Sequence, residues 1–255
     1  MKRLPLIVSI VTVLTTAGVI GLAIAGIDTP EPLSPSQPLP EVVMVEGVDH
    51  LPSETAADWV TYADHVVVVN AVSEISVPPT QIELDRGEGL IGRIVTLEIS
   101  EILWSREGAP VAPPDTWDYS AIGAQFTEGN TAEPYEMALH ERPRVEVGHS
   151  YVMAIRWEPE RCEDGESEPA QWRGLGEGSE IPYDDAALGN GELEGEIQSP
   201  QQFGAAAEED VTVGGLEEQV AGQSADALVA ELESAVPAAA PEVAVDTFST
   251  TSDCA

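Results

Sequence analysis

The sequence predicts a mainly β fold: a small antiparallel barrel or sandwich with one C-terminal α-helix, preceded by an N-terminal apolar export helix. Three observations carry that expectation. Apolar and polar residues alternate over several short segments, one late segment has apolar residues at fourfold spacing, and the chain starts basic and then runs apolar. With 43% hydrophobic residues in 255, a folded core is expected, while Gly 22 and Pro 20 imply much turn and linker.

Residues 1–27 read as a signal peptide or a membrane anchor. Lys2 and Arg3 precede an apolar run over residues 4–27, and the charge asymmetry directs the rest of the chain across the membrane. Ala23, Ala25 and Gly26 supply a small-residue cleavage pattern, whereas the length of the run approaches the roughly 20 residues of a bilayer span. Both fates stay open, with cleavage favoured. Residues 28–43 carry Pro30, Pro32, Pro35, Pro38 and Pro40, and they read as an extended linker because proline fixes φ and lacks a donor.

The β domain is expected over residues 44–200. Residues 64–72, with Val66 to Val69 in succession, are apolar on both faces and suit a central strand. Residues 92–104 alternate, with Val95, Leu97 and Ile99 on one face and Thr96, Glu98 and Ser100 on the other. Residues 150–157 repeat the pattern through Tyr151, Met153, Ile155 and Trp157. Weaker strands are expected at residues 115–127, 178–183 and 192–197, the last two joined by a hairpin turn at Asn190 and Gly191, which tolerate positive φ. Residues 201–237 form a C-terminal helical segment. Ser224 is placed to cap a helix whose buried face carries Leu228, Leu232 and Val236, with Pro237 ending it and a shorter helical turn at residues 216–220. Residues 238–255 read as a flexible tail.

The strands at residues 63–72, 95–104 and 147–153 resemble the successive strands of exported bacterial OB-like domains that are distantly similar to netrin and tissue-inhibitor-of-metalloproteinase modules. The resemblance spans about residues 63–155 and implies a small OB-like barrel. The cysteine pairs of the animal modules are missing, so protease inhibition does not carry over.

Charge narrows the function. The chain has 46 acidic residues against 10 basic ones, a formal charge of -36, and Lys2 is its only lysine. Such a surface repels phosphate backbones and anionic headgroups, which disfavours nucleic acid and leaves membrane contact to the N-terminal segment, where that stays uncleaved. No phosphate loop, nucleophile elbow or zinc spacing is present, so no catalytic residue, metal ligand or cofactor is assigned. The six acids of residues 158–168 surround Gly165 but do not match a calcium-loop spacing. Cys162 and Cys254 form one possible disulfide in an exported chain. Trp117 and Trp172, flanked by polar residues, are the candidate exposed binding aromatics. The function expected is a non-catalytic cell-envelope or secreted binding module for an envelope protein or glycan. The alternatives are an extracytoplasmic hydrolase and a structural, salt-adapted surface protein.

Export is testable directly. Protease added to intact cells should digest the domain, and mass spectrometry of the native chain should show a start at Gly26 for a cleaved signal or an unprocessed start for an anchor. Protection of the whole chain until lysis contradicts the export reading.

Overall fold

A computed structural model describes residues 42–47, 51–163, 166–207 and 215–238. The expected export helix, most of the linker, Cys254 and the expected tail from residue 239 onward therefore lie outside the described residues. All described residues belong to the second of the two units into which the chain divides, Leu39–Ala255. Among them no helix is long and apolar enough to cross a membrane.

The elements run β1 (Val43–Val45), α1 (Ala56–Tyr62), β2 (His65–Val77), α2 (Gln81–Arg86), β3 (Gly89–Ser105), β4 (Thr116–Phe126), β5 (Tyr135–Leu139) and β6 (Ser150–Glu158). After these come β7 (Arg161–Glu163), β8 (Glu166–Glu168), β9 (Gln171–Gly174), β10 (Glu180–Pro182), β11 (Gly191–Leu193), β12 (Glu196–Gln198), α3 (Pro200–Ala207), α4 (Leu216–Val220) and α5 (Ala225–Ser234). The main sheet has eight strands in the order β1-β5-β4-β3-β2-β6-β10, with β9 also on β6. Its pairs are antiparallel apart from β1 with β5. β7–β8 and β11–β12 form two separate ribbons.

β2 is central because both of its faces are apolar. Val66 and Val68 join Val152 and Ala154 of β6 in one core, which α1, α4 and α5 cover with Trp59, Leu216 and Leu228. Val67, Val69 and Ala71 face the opposite way and pack with Tyr151, Met153 and Ile155 in a second core. Trp59 is fully buried, and its indole donates to the Ser53 carbonyl at 2.7 Å. The capping boxes at Thr55–Asp58 and Thr80–Glu83 start α1 and α2, satisfying donors that each helix leaves open.

The sheet is curled rather than flat. Three register shifts interrupt the β2·β3 ladder and one interrupts β3·β4, and each bulge bends and twists the strands locally. In β3·β4 the extra residue lies on β4, where Ile122 and Gly123 oppose Gly92 between the pairs Ile91↔Ala124 and Arg93↔Ala121.

The mainly β expectation holds, but three finer expectations do not. No closed barrel forms: among the described residues no ladder joins β4 to β9 or β10. Several helices are present where one was expected. The hairpin turn is not at Asn190 and Gly191, because β10 pairs with β6; the hairpin is β11–β12, turning through Glu194 and Gly195, both at positive φ. In α5, Ser224 stands at the N-cap position without a side-chain capping bond, and Val236 lies beyond the helix at 79% exposure. β1 includes Val43, so the ordered pairing reaches into residues assigned to the linker.

The bulge makes one glycine obligatory. A Cβ at Gly123 would overlap the Ile91 carbonyl oxygen across the ladder. Gly123→Ala should destabilise the protein by about 1–3 kcal/mol, the usual scale for overpacking, as read by urea denaturation. An unchanged midpoint contradicts this bulge geometry.

Candidate functional site

Trp117 of β4 and Trp172 of β9 belong to strands far apart in the sheet order, yet both pack in the core of Val67, Tyr151 and Met153. Curling brings β4 and β9 toward each other there. The seam between them opens as a cleft of about 230 Å3, whose lining includes Trp117, Asp118, Tyr119, Arg142, Trp172 and Glu180.

Alternation on β4 sets one side of the seam. Trp117 and Tyr119 are two residues apart and share a face, and their rings meet edge to face with centroids 5.2 Å apart. On the other side, Trp172 is the cross-strand partner of Trp157 in β6, and these rings meet at 5.3 Å. His65 lies 5.6 Å from Trp172 and is locked at both nitrogens. Its Nε2 lies 2.8 Å from the Val111 carbonyl, which only accepts, so Nε2 donates there, and Nδ1 shares a hydrogen bond of 2.8 Å with Ser105 Oγ. The expectation that Trp117 and Trp172 are exposed is corrected: they are 7% and 9% exposed, because their rings complete the second core while lining the cleft.

A side-chain hydrogen bond spans the seam. The Tyr119 hydroxyl donates to Glu180 Oε1 at 2.6 Å, where a closed barrel would have a backbone ladder. Glu180 is itself 7% exposed and sits opposite Met153 in the β10·β6 register.

Arg142 also lines the cleft. Its Nη1 donates to Glu217 Oε2 at 2.8 Å and its Nη2 to Glu54 Oε1 at 3.1 Å. The turn that carries it is fixed from below by buried Glu192. That carboxylate accepts from the backbone N–H groups of Arg144 and Val145 at 3.0 Å, of Gly195 at 2.7 Å, and from the Tyr151 hydroxyl at 2.8 Å. Val145 is held at positive φ by this clasp. Burial and the Glu192 charge together raise the Tyr151 phenol above its ordinary range, so it serves as a neutral donor.

Glu217 is the outlier of the network. It is 7% exposed, and its Oε1 has no hydrogen-bond partner. Burial pushes its carboxyl up from 4.5 to about 8; Arg142 opposes the shift, while Glu54, Glu180 and Glu218 add to it. One guanidinium is thus shared among a surplus of carboxyl groups. Nothing in the sequence singled out Glu217 or Glu180 among 46 acids. The usable signal was the opposite one: arginine is scarce, and Arg93, Arg106, Arg142, Arg144, Arg156, Arg161 and Arg173 each sit where a carboxylate meets them.

The other candidates resolve into structure. In the acidic segment, Glu158 pairs with Arg156, Arg161 and Arg173, and Glu168 pairs with Arg161 and Arg173. Gly165 lies outside the described residues, and among those described no group of three or more His, Cys, Asp or Glu is arranged to hold a metal ion. Cys162 is disulfide-bonded, and Cys254 is the only other cysteine in the sequence. His149 Nδ1 meets Asp184 Oδ2 at 2.5 Å, and the neighbouring Ser150 hydroxyl donates to Asn70 Oδ1. A wider groove of about 830 Å3 contains Arg93 and Arg144 in its wall. Both are committed to the fold, Arg93 through Glu74 and the carbonyls of Ile122, Arg144 and Val145, and Arg144 through Glu146 and the carbonyl of Met137.

Comparison with family models, with curated proteins and with solved structures finds no match to this chain.

The raised carboxyl has a consequence for stability. Between about 4.5 and 8 the folded chain keeps a proton on Glu217 that the unfolded chain has released. The stability this contributes is therefore full below about 4.5 and is lost as pH rises through about 8. The limiting slope is about 1.4 kcal/mol per pH unit. Glu217→Gln should remove this component, so the stability of the variant relative to the parent should rise with pH across that interval. Parallel pH profiles from denaturant titrations contradict the assignment.

Proposed function

We propose that this chain is an exported, non-catalytic binding module of the cell envelope or its surroundings, and that its ligand site is the cleft at the seam of the curled sheet. The observation that carries the reading is the convergence of Trp117, Tyr119, Trp172, Glu180 and Arg142 on one opening of about 230 Å3. The ligand is part of an envelope protein or glycan. A cleft this size lies below the range of about 300–1,000 Å3 typical of small-molecule pockets, so it takes one side chain or one sugar unit of a larger partner. Export rests on the basic start and apolar run of the first 27 residues.

The geometry disfavours the hydrolase alternative. A hydrolase that works through a carboxyl of raised pKa presents that carboxyl to the substrate, and Glu217 is not among the groups that line the cleft. Glu180, which does line it, accepts the Tyr119 hydroxyl and thereby holds the seam.

The test is a variant that fills the cleft. Gly174 lines it, and a Cβ there would meet Glu180 Oε1 at 3.3 Å and the Tyr119 ring at 3.9 Å, so the side chain of Gly174→Leu projects into the opening. The protein should bind isolated cell envelopes, and Gly174→Leu, with its far-UV spectrum unchanged, should lose at least tenfold in affinity. Undiminished binding by the filled variant overturns the cleft as the site.

A further inference from the structure

The apolar side chains that the fold leaves exposed gather on one arm of the sheet. Among the described residues, Val72, Ile75, Val77, Ile82, Leu84 and Leu90 are six of the twelve large hydrophobic residues open to solvent, and all six fall within residues 72–90. The arm is the far half of β2 with the start of β3, joined at its tip by α2. From His65 to Asn70, β2 lies between β3 and β6. β6 leaves it at Ala71, whose N–H donates to the His149 carbonyl and whose carbonyl accepts from the Gly148 N–H. From Ser73 to Val77 it is paired with β3 alone, so among the described residues its other edge has no ladder. An open edge is a template for a further strand, and natural sheets guard theirs with lysine, proline or inward-pointing charge. This one has no lysine or proline before Pro78, and its single charge, Glu74, is bound by Arg93 at 2.6 Å.

On the face away from Glu74, Ser73, Ile75 and Val77 stand beside Thr96, Ile94 and Gly92 of β3, and Leu90 precedes Gly92 by two residues. These positions carry no ionisable group, in a chain with 46 acidic residues. We propose that this edge pairs with the same edge of a second copy of the chain, antiparallel and about a twofold axis at Ile75, so that the two main sheets run on into one. Charge selects both the occupant and the register. Two chains of -36 repel each other and meet only where carboxylates are absent, as they are on this face. A basic partner would find no carboxylate here to pair with, whereas a second copy brings the same uncharged row. The twofold axis makes one strand its own complement. Centred on Ile75, Ser73 faces the copy's Val77 and Glu74 faces its Ser76; centred on Glu74, two carboxylates would stand directly opposite, which is destabilising.

The inference has a consequence in salt. Joining through an uncharged strand face leaves the long-range repulsion between the copies opposing association, and added salt screens it. The dimer should therefore tighten as NaCl rises, opposite to an interface held by ion pairs. Backbone amides between Ser73 and Val77 that face the open edge should become protected from exchange as the protein is concentrated.

The experiment measures the mass of the full-length protein by analytical ultracentrifugation over a range of concentrations, at low and high NaCl. The chain should go over to a dimer, more readily at high salt, and Ile75→Lys, which sets two cations opposite each other, should weaken that dimer at least tenfold. Ile75 is 63% exposed, so the variant should keep its melting temperature. Ile197→Lys makes the same charge change at an exposed residue of the separate β11–β12 ribbon and should leave the dimer intact. Ile75→Cys should cross-link the two copies on mild oxidation, whereas Glu74→Cys should not, because its two positions lie beyond the roughly 7 Å that a disulfide spans. A mass that stays at one chain at every concentration and salt overturns the inference. Dimers that survive Ile75→Lys, whether they form through the apolar N-terminal run or another surface, overturn it too, as does cross-linking through Glu74→Cys in preference to Ile75→Cys. None of these outcomes bears on the cleft, which the envelope-binding comparison with Gly174→Leu decides separately.

Discussion

The bond from the Tyr119 hydroxyl to the Glu180 carboxylate is the contact on which the candidate site depends. A curled sheet that stops short of closing has two edges facing each other, and backbone donors and acceptors along such edges are costly to leave dry and unpaired. Here the seam is spanned by a side-chain bond, and the space beside it is the cleft. The bulges in β2·β3 and β3·β4 set the curl, the two tryptophans fill the inner side of the seam, and Glu192 fixes the turn that carries Arg142 into the cleft wall. Zipping β4 onto β9 would remove the opening. Flattening the sheet would separate its walls.

Charge imposes the second constraint. The chain has few cations for its many acids, and the fold uses them in its interior and at its junctions. Arg93, Arg106, Arg142, Arg144, Arg156, Arg161 and Arg173 each form an ion pair with at least one carboxylate. Arg106 pairs with Asp64, whose other oxygen accepts the Trp157 N–H at 2.7 Å, so one arginine helps join β3 to the ends of β2 and β6. Exposed pairs of this kind contribute little each; the buried ones matter because removing one partner strands the other. Where cations run short, at Arg142, the surplus appears as a neutral buried carboxyl at Glu217.

The strands that organise the sheet were legible in the sequence because their burial is periodic or continuous. Val66 to Val69 announce a strand buried on both faces, and the alternation of Val95, Leu97 and Ile99 announces one buried on a single face. Elements fixed by pairing rather than by pattern were not legible. β10 looks like half of a hairpin until β6 takes it, and the Glu194–Gly195 turn places a glutamate at positive φ, which no turn preference would select. α2 was recoverable, since Thr80 and Glu83 spell a capping box. At the site, the polar neighbours of Trp117 and Trp172 suggest exposed binding residues, and the fold instead gives both a double part as core and cleft wall. Tyr119, Arg142 and Glu180 come together only through the curl, which depends on bulges that leave no distinct mark in composition or spacing.

Amide hydrogen exchange along β4 tests the open seam most directly. β5 pairs with β4 only at Ala124 and Gln125, so between Thr116 and Ala121 the edge of β4 away from β3 has no ladder among the described residues. Alternate amides in that stretch should exchange orders of magnitude faster than those of the β2·β3 ladder, and Tyr119→Phe should speed them further. Uniform, core-like protection across residues 116–121 would mean that β4 is laddered on both sides, and it would contradict a cleft at this position.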